Sequence, residues 1–438
     1  MARQMKDSGI AWIGEIPETW STDRLQWHLD EVNVSNSPVQ SENILSLTIE
    51  AGVIPYEEKG NQGNKSKENY EEYKLAYPDT LVVNSMNVII GAVGISKYFG
   101  CVSPVYYVFR AATGTDLRYV YYLFTNVGFQ KEMRKHAKGI LEIRLRISSG
   151  DMQKLSVPNP EYEEQRRIAD FLDRHCAEID AVMERTKATI EEYKKLKQAV
   201  ITEAVTKGVR GPRKMKDSGI EWIGEIPEGW DMVKITRILD YDVPYPIGDG
   251  DHGLISPDDY QDDGIPYLRV QNLGWGTQLN LDGLVYISAE TNERVKNSTL
   301  HPNDVLFAKT GATIGKTGIV PENMPMANTT SHVGKITVAP RYSAMWVFYV
   351  LSSHVGYRQF WQIAQQKTTR PELAIAEIKA ICLPMPSDRA EQDEIVEYLK
   401  VRCAELEKMI SSKETLLTEL ETNKKSVIYE YVTGKKQV

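Results

Sequence analysis

The sequence predicts an α+β fold: two globular mixed α/β modules, related by an internal pseudo-two-fold repeat and separated by two long antiparallel coiled-coil helices. Three observations predict it. The stretch "MKDSGIAWIGEIPETW", Met5 to Trp20, returns as "MKDSGIEWIGEIPEGW", Met215 to Trp230, changed only at Ala11/Glu221 and Thr19/Gly229. "PNPEYEEQRRIADFLDRHCAEIDAV" from Pro158 lines up with "PMPSDRAEQDEIVEYLKVRCAELEKM" from Pro384, sharing Glu164-Gln165 with Glu391-Gln392 and Cys176-Ala177-Glu178 with Cys403-Ala404-Glu405. Both of these later segments then carry apolar residues at alternating spacings of four and three, the heptad pattern of a coiled-coil seam.

Taken in chain order, residues 1–157 form the first module and 158–208 the first long helix. Residues 209–214 are a linker, 215–383 the second module and 384–438 the second long helix. The front motifs lie 210 positions apart and the rear ones 227, so the middle of the second copy is about 17 residues longer. Each helix follows a proline-containing turn (Pro158-Asn159-Pro160; Pro384-Met385-Pro386) and stops at a glycine, Gly208 or Gly434. The predicted seam packs Ile168, Leu172, Ile179, Val182 and Leu196 against Ile395, Leu399, Leu406, Met409 and Leu416. The order module, helix, module, helix makes the two helices antiparallel if the copies are related by a two-fold. The middles read as twisted sheets, from "TLVVNS", "VYYVFR", "DVLFAK" and "HVGKITV", followed by aromatic helical segments in which Val127-Gly128-Phe129 faces Val355-Gly356-Tyr357.

Composition bounds the function. A chain of 438 residues with 42% hydrophobic content has room for two to four cores. The best apolar run, Thr80 to Ile95, is broken by Asn84, Ser85 and Asn87, and the first residues lack the apolar core of a signal peptide. A cytoplasmic protein with no membrane role is the expectation. Four cysteines without a CxxC pair indicate neither a disulfide framework nor a zinc knuckle. The formal charge of −8 argues against nucleic acid only on average, because Lys131 to Arg146 holds six bases against two acids.

The motifs that suggest chemistry fail on spacing. "GATIGKT" has three residues before Gly-Lys where a phosphate-binding loop needs four, so it is read as a Gly-rich turn bringing Lys309 and Lys316 toward an anion. "NPEY" lacks the second proline of the adenine methyltransferase loop and sits at a helix start. The acidic stretch Asp240 to Gly264 misses the calcium-loop pattern and is read as a solvated loop. No histidine pair has metal-ligand spacing, and no catalytic, cofactor-binding or metal-binding residue is assigned.

What remains is loop chemistry suited to DNA. Arg reads guanine bidentately, Asn and Gln read adenine, and Lys holds phosphate. On that basis the candidates are Lys65, Lys67, Arg134, Lys138, Arg144 and Arg146 in the first middle. In the second they are Arg269, Gln271, Asn272, Lys309, Lys316, Arg358, Lys367 and Arg370.

With the duplicated "GEIPE.W" openings, the paired "P.P…EQ..I" helix starts and the twin helices in place, the chain resembles the specificity subunit of a type I restriction-modification enzyme over essentially its whole length. "IGDGDHG…GIPYLRVQNLGWG" and "DVLFAKTGATIGKTGI" resemble stretches of that family's target-recognition domains. The resemblance implies a chain that does not itself catalyse. Each module would read one half of an asymmetric, bipartite double-stranded DNA target. The helix pair would set the spacer and dock two methyltransferase subunits, and two ATP-dependent restriction subunits would join in the full complex. S-adenosylmethionine, ATP and magnesium would then belong to the partner subunits, with no cofactor on this chain. Two other classes stand beside it: a coiled-coil scaffold with two ligand-binding modules and no DNA role, and a self-contained methyltransferase or nuclease, which the missing motifs disfavour.

Overall fold

A computed structural model describes residues 3–59, 69–139, 145–276, 279–366 and 371–438. The chain divides into two compact units, Met1–Lys187 with Thr415–Val438, and Ala188–Glu414. Each unit therefore holds one module, the start of one long helix and the end of the other.

In the first unit a four-stranded antiparallel sheet is built from β1 (Leu29–Glu31), β2 (Thr80–Asn84), β3 (Val93–Ser96) and β4 (Tyr106–Ala111), in the order β1-β4-β2-β3. β2 is buried at all five positions, as the apolar run "TLVVN" requires of a central strand. The aromatic segment is two helices rather than one: α1 (Leu117–Thr125) and α2 (Val127–His136). Asn126 separates them because its side chain accepts from the Gly128 and Phe129 amides, capping the second helix. The second unit repeats the plan with β5 (Ile247–Asp249), β6 (Val305–Ala308), β7 (Thr317–Ile319) and β8 (Val333–Ile336), ordered β5-β8-β6-β7. Its aromatic helices are α4 (Ala344–Ser352) and α5 (His354–Ala364), divided by the capping Ser353. An additional three-stranded sheet, Ile265–Leu268 between Val285–Ile287 and Asn328–Thr329, occurs in this unit.

The long helices are α3 (Tyr162–Lys207) and α6 (Arg389–Val432). Each ends where a glycine turns left-handed, Gly208 at φ +73° and Gly434 at φ +71°. In the first unit Phe171 packs on Tyr431 with ring centroids 4.3 Å apart, and Asp180 meets Lys424 at 2.6 Å; the helices run antiparallel. In the second unit Lys197 meets Glu407 at 2.6 Å and Arg210 meets Glu394 at 2.7 Å, again antiparallel.

The buried stripe differs from the predicted seam at alternate positions. Ile168, Leu172, Ile179, Ile395, Leu399 and Leu406 are buried as expected. Val182, Leu196 and Met409 are exposed, and Leu416 is half-buried. In their places the next residues face inward: Met183 and Lys197 are buried and Ile410 is half-buried. The inward face keeps the heptad: Ala169, Cys176, Met183, Ile190 and Lys197 recur at intervals of seven, as do Val396, Cys403 and Ile410. Each partner of Leu172, Ile179, Leu399 and Leu406 therefore lies four residues on and not three, both spacings being neighbours on a helix face.

The repeated motifs close each unit. Met5–Asp7 pairs with Glu15–Pro17, and Met215–Asp217 with Glu225–Pro227, each a short antiparallel ribbon. Trp20 donates its indole N–H to Glu164 at 2.9 Å, and Arg3 ion-pairs with Glu164 at 2.8 Å while covering the Trp20 ring. In the second unit Arg213 bonds Glu391 at 2.6 Å and covers Trp230. The neighbouring glutamines reach the aromatic helices. Gln165 Oε1 accepts from the Asp116 amide at 3.0 Å and Gln392 Oε1 from the Ser343 amide at 2.9 Å, each at the cap of α1 or α4. The shared Glu-Gln is thus a joint: Glu holds the opening motif and Gln holds the helix that carries the module.

Candidate nucleic-acid interface

In the second unit, three of the loops chosen from sequence converge on one surface. Gly315 adopts φ +101° in the turn after β6, and a Cβ there would lie 2.5 Å from the Tyr357 ring and 3.0 Å from Trp275. Glycine at 315 therefore lets the Lys316 turn, the Trp275 loop and the first turns of α5 meet. Trp275 and Tyr357 stand edge to face at 6.2 Å, and Tyr357 and Trp361 at 6.1 Å. Gln271 and Arg358 are exposed at this surface's elements and Lys316 is half-buried. The Arg358 guanidinium donates to His354 one turn back at 3.2 Å.

Other sequence candidates here serve the fold. Asn272 is buried, accepting from the Arg269 amide at 2.8 Å and donating to the Asn280 carbonyl at 2.8 Å, so its amide is spent inside its own loop. The Arg269 guanidinium donates to the Gly283 carbonyl at 3.0 Å and lies over the Tyr260 ring. Lys309 does not reach toward an anion: it is buried, bonded to Asp249 and 3.3 Å from Glu372. The same pair corrects the acidic stretch, because Asp249 neutralises Lys309 while the buried Asp251 accepts from the Ile255 and Ser331 amides at 2.9 Å each. Only the remainder of that stretch, such as Asp258 and Asp262, is solvated. Lys335 is also buried, with its Nζ 2.6 Å from the Thr299 carbonyl and 3.8 Å from Asp304; burial lowers its pKa. Lys367 and Arg370 lie outside the described residues.

In the first unit the basic run has a partly structural use. Arg134, Lys135 and His136 occupy the last turn of α2, where positive charge complements the helix dipole. Lys138 and Arg146 face each other across an antiparallel bridge, with backbone N···O distances of 2.8 and 2.9 Å, and both side chains are exposed. Arg134 is exposed as well. Lys65, Lys67 and Arg144 lie outside the described residues.

Sequence reasoning missed the cleft beside this surface. Trp222, Tyr357, Arg358, Trp361, Gln362 and Gln365 enclose about 550 Å³. The apparent correspondence of Val-Gly-Phe with Val-Gly-Tyr hides its origin. Measured from the capping residue, Phe129 is third after Asn126, and the third residue after Ser353 is Gly356, not Tyr357. One extra residue, His354, turns the motif by about 100° around the helix. Phe129 is accordingly 0% exposed and packs 5.6 Å from Trp12, whereas Tyr357 is 37% exposed. Trp222, the counterpart of Trp12, faces a gap. The signal was in the spacing between cap and motif.

Among the described residues no helix is long and apolar enough to cross a membrane. The family model for the type I restriction modification DNA specificity domain matches residues 30–192 and 227–421. The type I restriction enzyme EcoBI specificity subunit of Escherichia coli is 29% identical over 61% of this chain and 56% of its own length, so the match spans little more than half of that relative. The MjaVIII specificity subunit of Methanocaldococcus jannaschii is 25% identical over 74% of this chain and 71% of its own. A solved chain from work on complex assembly and conformational transition of the type I R-M system superposes with a TM-score of 0.69 at 15% identity, covering 96% of this chain and 99% of that one; it shares the fold. The chain belongs to the type I restriction-modification DNA specificity family, and the scaffold reading without DNA is left unsupported.

Proposed function

We propose that this chain, as a member of that family, is the sequence-reading, non-catalytic component of a type I restriction-modification assembly. Each module reads one half of a bipartite duplex target, and the antiparallel helices fix the distance between halves and seat two methyltransferase subunits. The partners bring S-adenosylmethionine for adenine methylation. Two restriction subunits bring ATP and magnesium for translocation and cleavage. The absence of a methyl-donor or phosphate-loop motif from the sequence fits this division of labour.

One observation carries the reading of two different halves. The same joint of Glu-Gln, tryptophan and arginine supports both modules, yet the helix faces it positions differ residue by residue. Counting from the caps, Gln130, Lys131 and Arg134 of the first module correspond to Tyr357, Arg358 and Trp361 of the second. A preserved frame with altered contact residues is what an asymmetric target requires, because base edges are read by side chains and not by the frame.

The test is co-expression with the cognate methyltransferase followed by long-read mapping of modified adenines. A split motif is expected, and replacing residues 21–150 by those of a relative should change one half only. Uniform or absent modification, or a change in both halves, would overturn the reading.

A further inference from the structure

The cleft of the second unit has the chemistry of a pocket for a single flat ring. Its walls are Trp222, Tyr357 and Trp361, its cation is the exposed Arg358, and Gln362 and Gln365 supply amide donors and acceptors. Among the described residues Trp222 forms no close ring pair, although its counterpart Trp12 is packed on Phe129. Its aromatic walls exist because Tyr357 and Trp361 stand at the helical positions that Gln130 and Arg134 hold in the first unit, while Gly356 takes the position of Phe129. Gly356 is also tightly held: a Cβ there would lie 2.3 Å from the Leu351 carbonyl oxygen, so the position cannot take back a side chain without moving α4. The cleft is continuous with the Tyr357, Trp275 and Lys316 surface described above.

We propose that this cleft takes one unstacked nucleobase from the half-site read by the second module, a proposal that rests on the DNA-reading function. Aromatic faces and an arginine plane accept any base by stacking, and the glutamine amides can bond its exposed edge. Duplex DNA must open one pair to deliver it, at a cost that falls when the pair is already mismatched. The first module, with Gln130 and Arg134 in place of the walls Tyr357 and Trp361, reads its half-site without extruding a base. Arg358 then acts as a stacking and phosphate-facing cation, and Tyr357 and Trp361 form the walls.

The experiment uses the complex of the full chain with its methyltransferase and a panel of duplexes carrying its mapped target. Each duplex has one mismatched pair or one abasic site in the second half-site, away from the methylated adenine. At one position a mismatch should tighten binding, while removing the base should weaken it roughly 5- to 100-fold, the range of a lost aromatic–base stack. In Trp361→Ala, and separately in the exposed Arg358→Ala and Tyr357→Ala, that abasic penalty should shrink or vanish while binding to the first half-site is retained. A wild-type complex that methylates its split target but is weakened by every mismatch overturns the pocket alone. So does an abasic penalty unchanged in the variants, or a variant that loses the methyltransferase subunit in the absence of DNA, which would make the cleft a protein interface. A wild-type complex with no split target overturns the DNA reading and the pocket together.

Discussion

Lys197 and Lys424 lie 227 positions apart, and each ammonium closes on a carboxylate of the opposite long helix: Glu407 at 2.6 Å and Asp180 at 2.6 Å, themselves 227 apart. The repeat is therefore written into the polar contacts of the helices as well as their apolar stripe. The two pairs differ in burial. The Lys197 side chain is 5% exposed and that of Lys424 30%. Removing Glu407 strands a buried ammonium, so Glu407→Ala should destabilise by ~3 kcal/mol, whereas Asp180→Ala should cost under about 1 kcal/mol, the usual value of an exposed pair. Denaturant unfolding of the two variants measures the difference, and equal losses would contradict it.

The glutamine joints should be equally testable. Gln165 and Gln392 each satisfy a buried backbone amide at a helix cap. Replacement by leucine leaves that N–H without a partner, at about 1–3 kcal/mol. Gln392→Glu retains an acceptor oxygen and should lose less. Hydrogen exchange at the Asp116 and Ser343 amides should accelerate in the leucine variants.

These joints also show what was legible in the sequence. Repetition exposed the frame, because Glu164-Gln165 and Glu391-Gln392 recur in register, and the strands at Thr80–Asn84 and Val305–Ala308 stand where β-rich runs placed them. Side-chain partners were not legible. Lys309 and Asp249 are separated by 60 positions, and nothing local to either says that one neutralises the other. Asn272 looked like a base reader because its residue type suits adenine, but its burial is set by Asn280 in the returning loop. The cleft was hidden for another reason: matching Val-Gly-Phe to Val-Gly-Tyr follows letters, while the fold counts from the cap.

Lys309 and Lys316 should separate cleanly in experiment. Lys309→Ala leaves Asp249 without its buried partner, which predicts a stability loss of about 3 kcal/mol. Lys316 has no ion pair among the described residues and sits at the proposed DNA surface. Lys316→Ala should leave the unfolding midpoint unchanged and reduce the salt dependence of DNA binding by about one unit in slope, with little change in target preference. A Lys316→Ala variant that unfolds early would remove it from the DNA surface.

The thiols offer a check on the packing around the joints. Cys176 and Cys403 occupy equivalent positions on the long helices, and Cys101 lies in the first module. Burial pushes all three up to about 11. An unfolded thiol ionises near 8.5 and reacts as the thiolate, so at pH 8 the folded chain should be alkylated first at the partly exposed Cys382. Because the folded state holds these protons to higher pH, the stability they contribute is present below the unfolded value and declines as pH rises toward 11. Rapid labelling of Cys176 or Cys403 at pH 8 in the folded chain would show that the helix pair opens.

The helix pair should act as a ruler. Four residues inserted into both long helices add about 6 Å of rise at roughly one full turn, which keeps the buried stripe nearly in phase. At about 3.4 Å per base pair, the gap between half-sites should lengthen by one or two base pairs while both half-sites keep their sequences. Insertions of two residues turn the stripe by about 200° and bring exposed positions such as Val182 and Met409 toward the partner helix, so those chains should be destabilised instead. Mapping modified adenines in the four-residue variant reads the outcome directly. An unchanged gap would mean that something other than helix length sets the spacing.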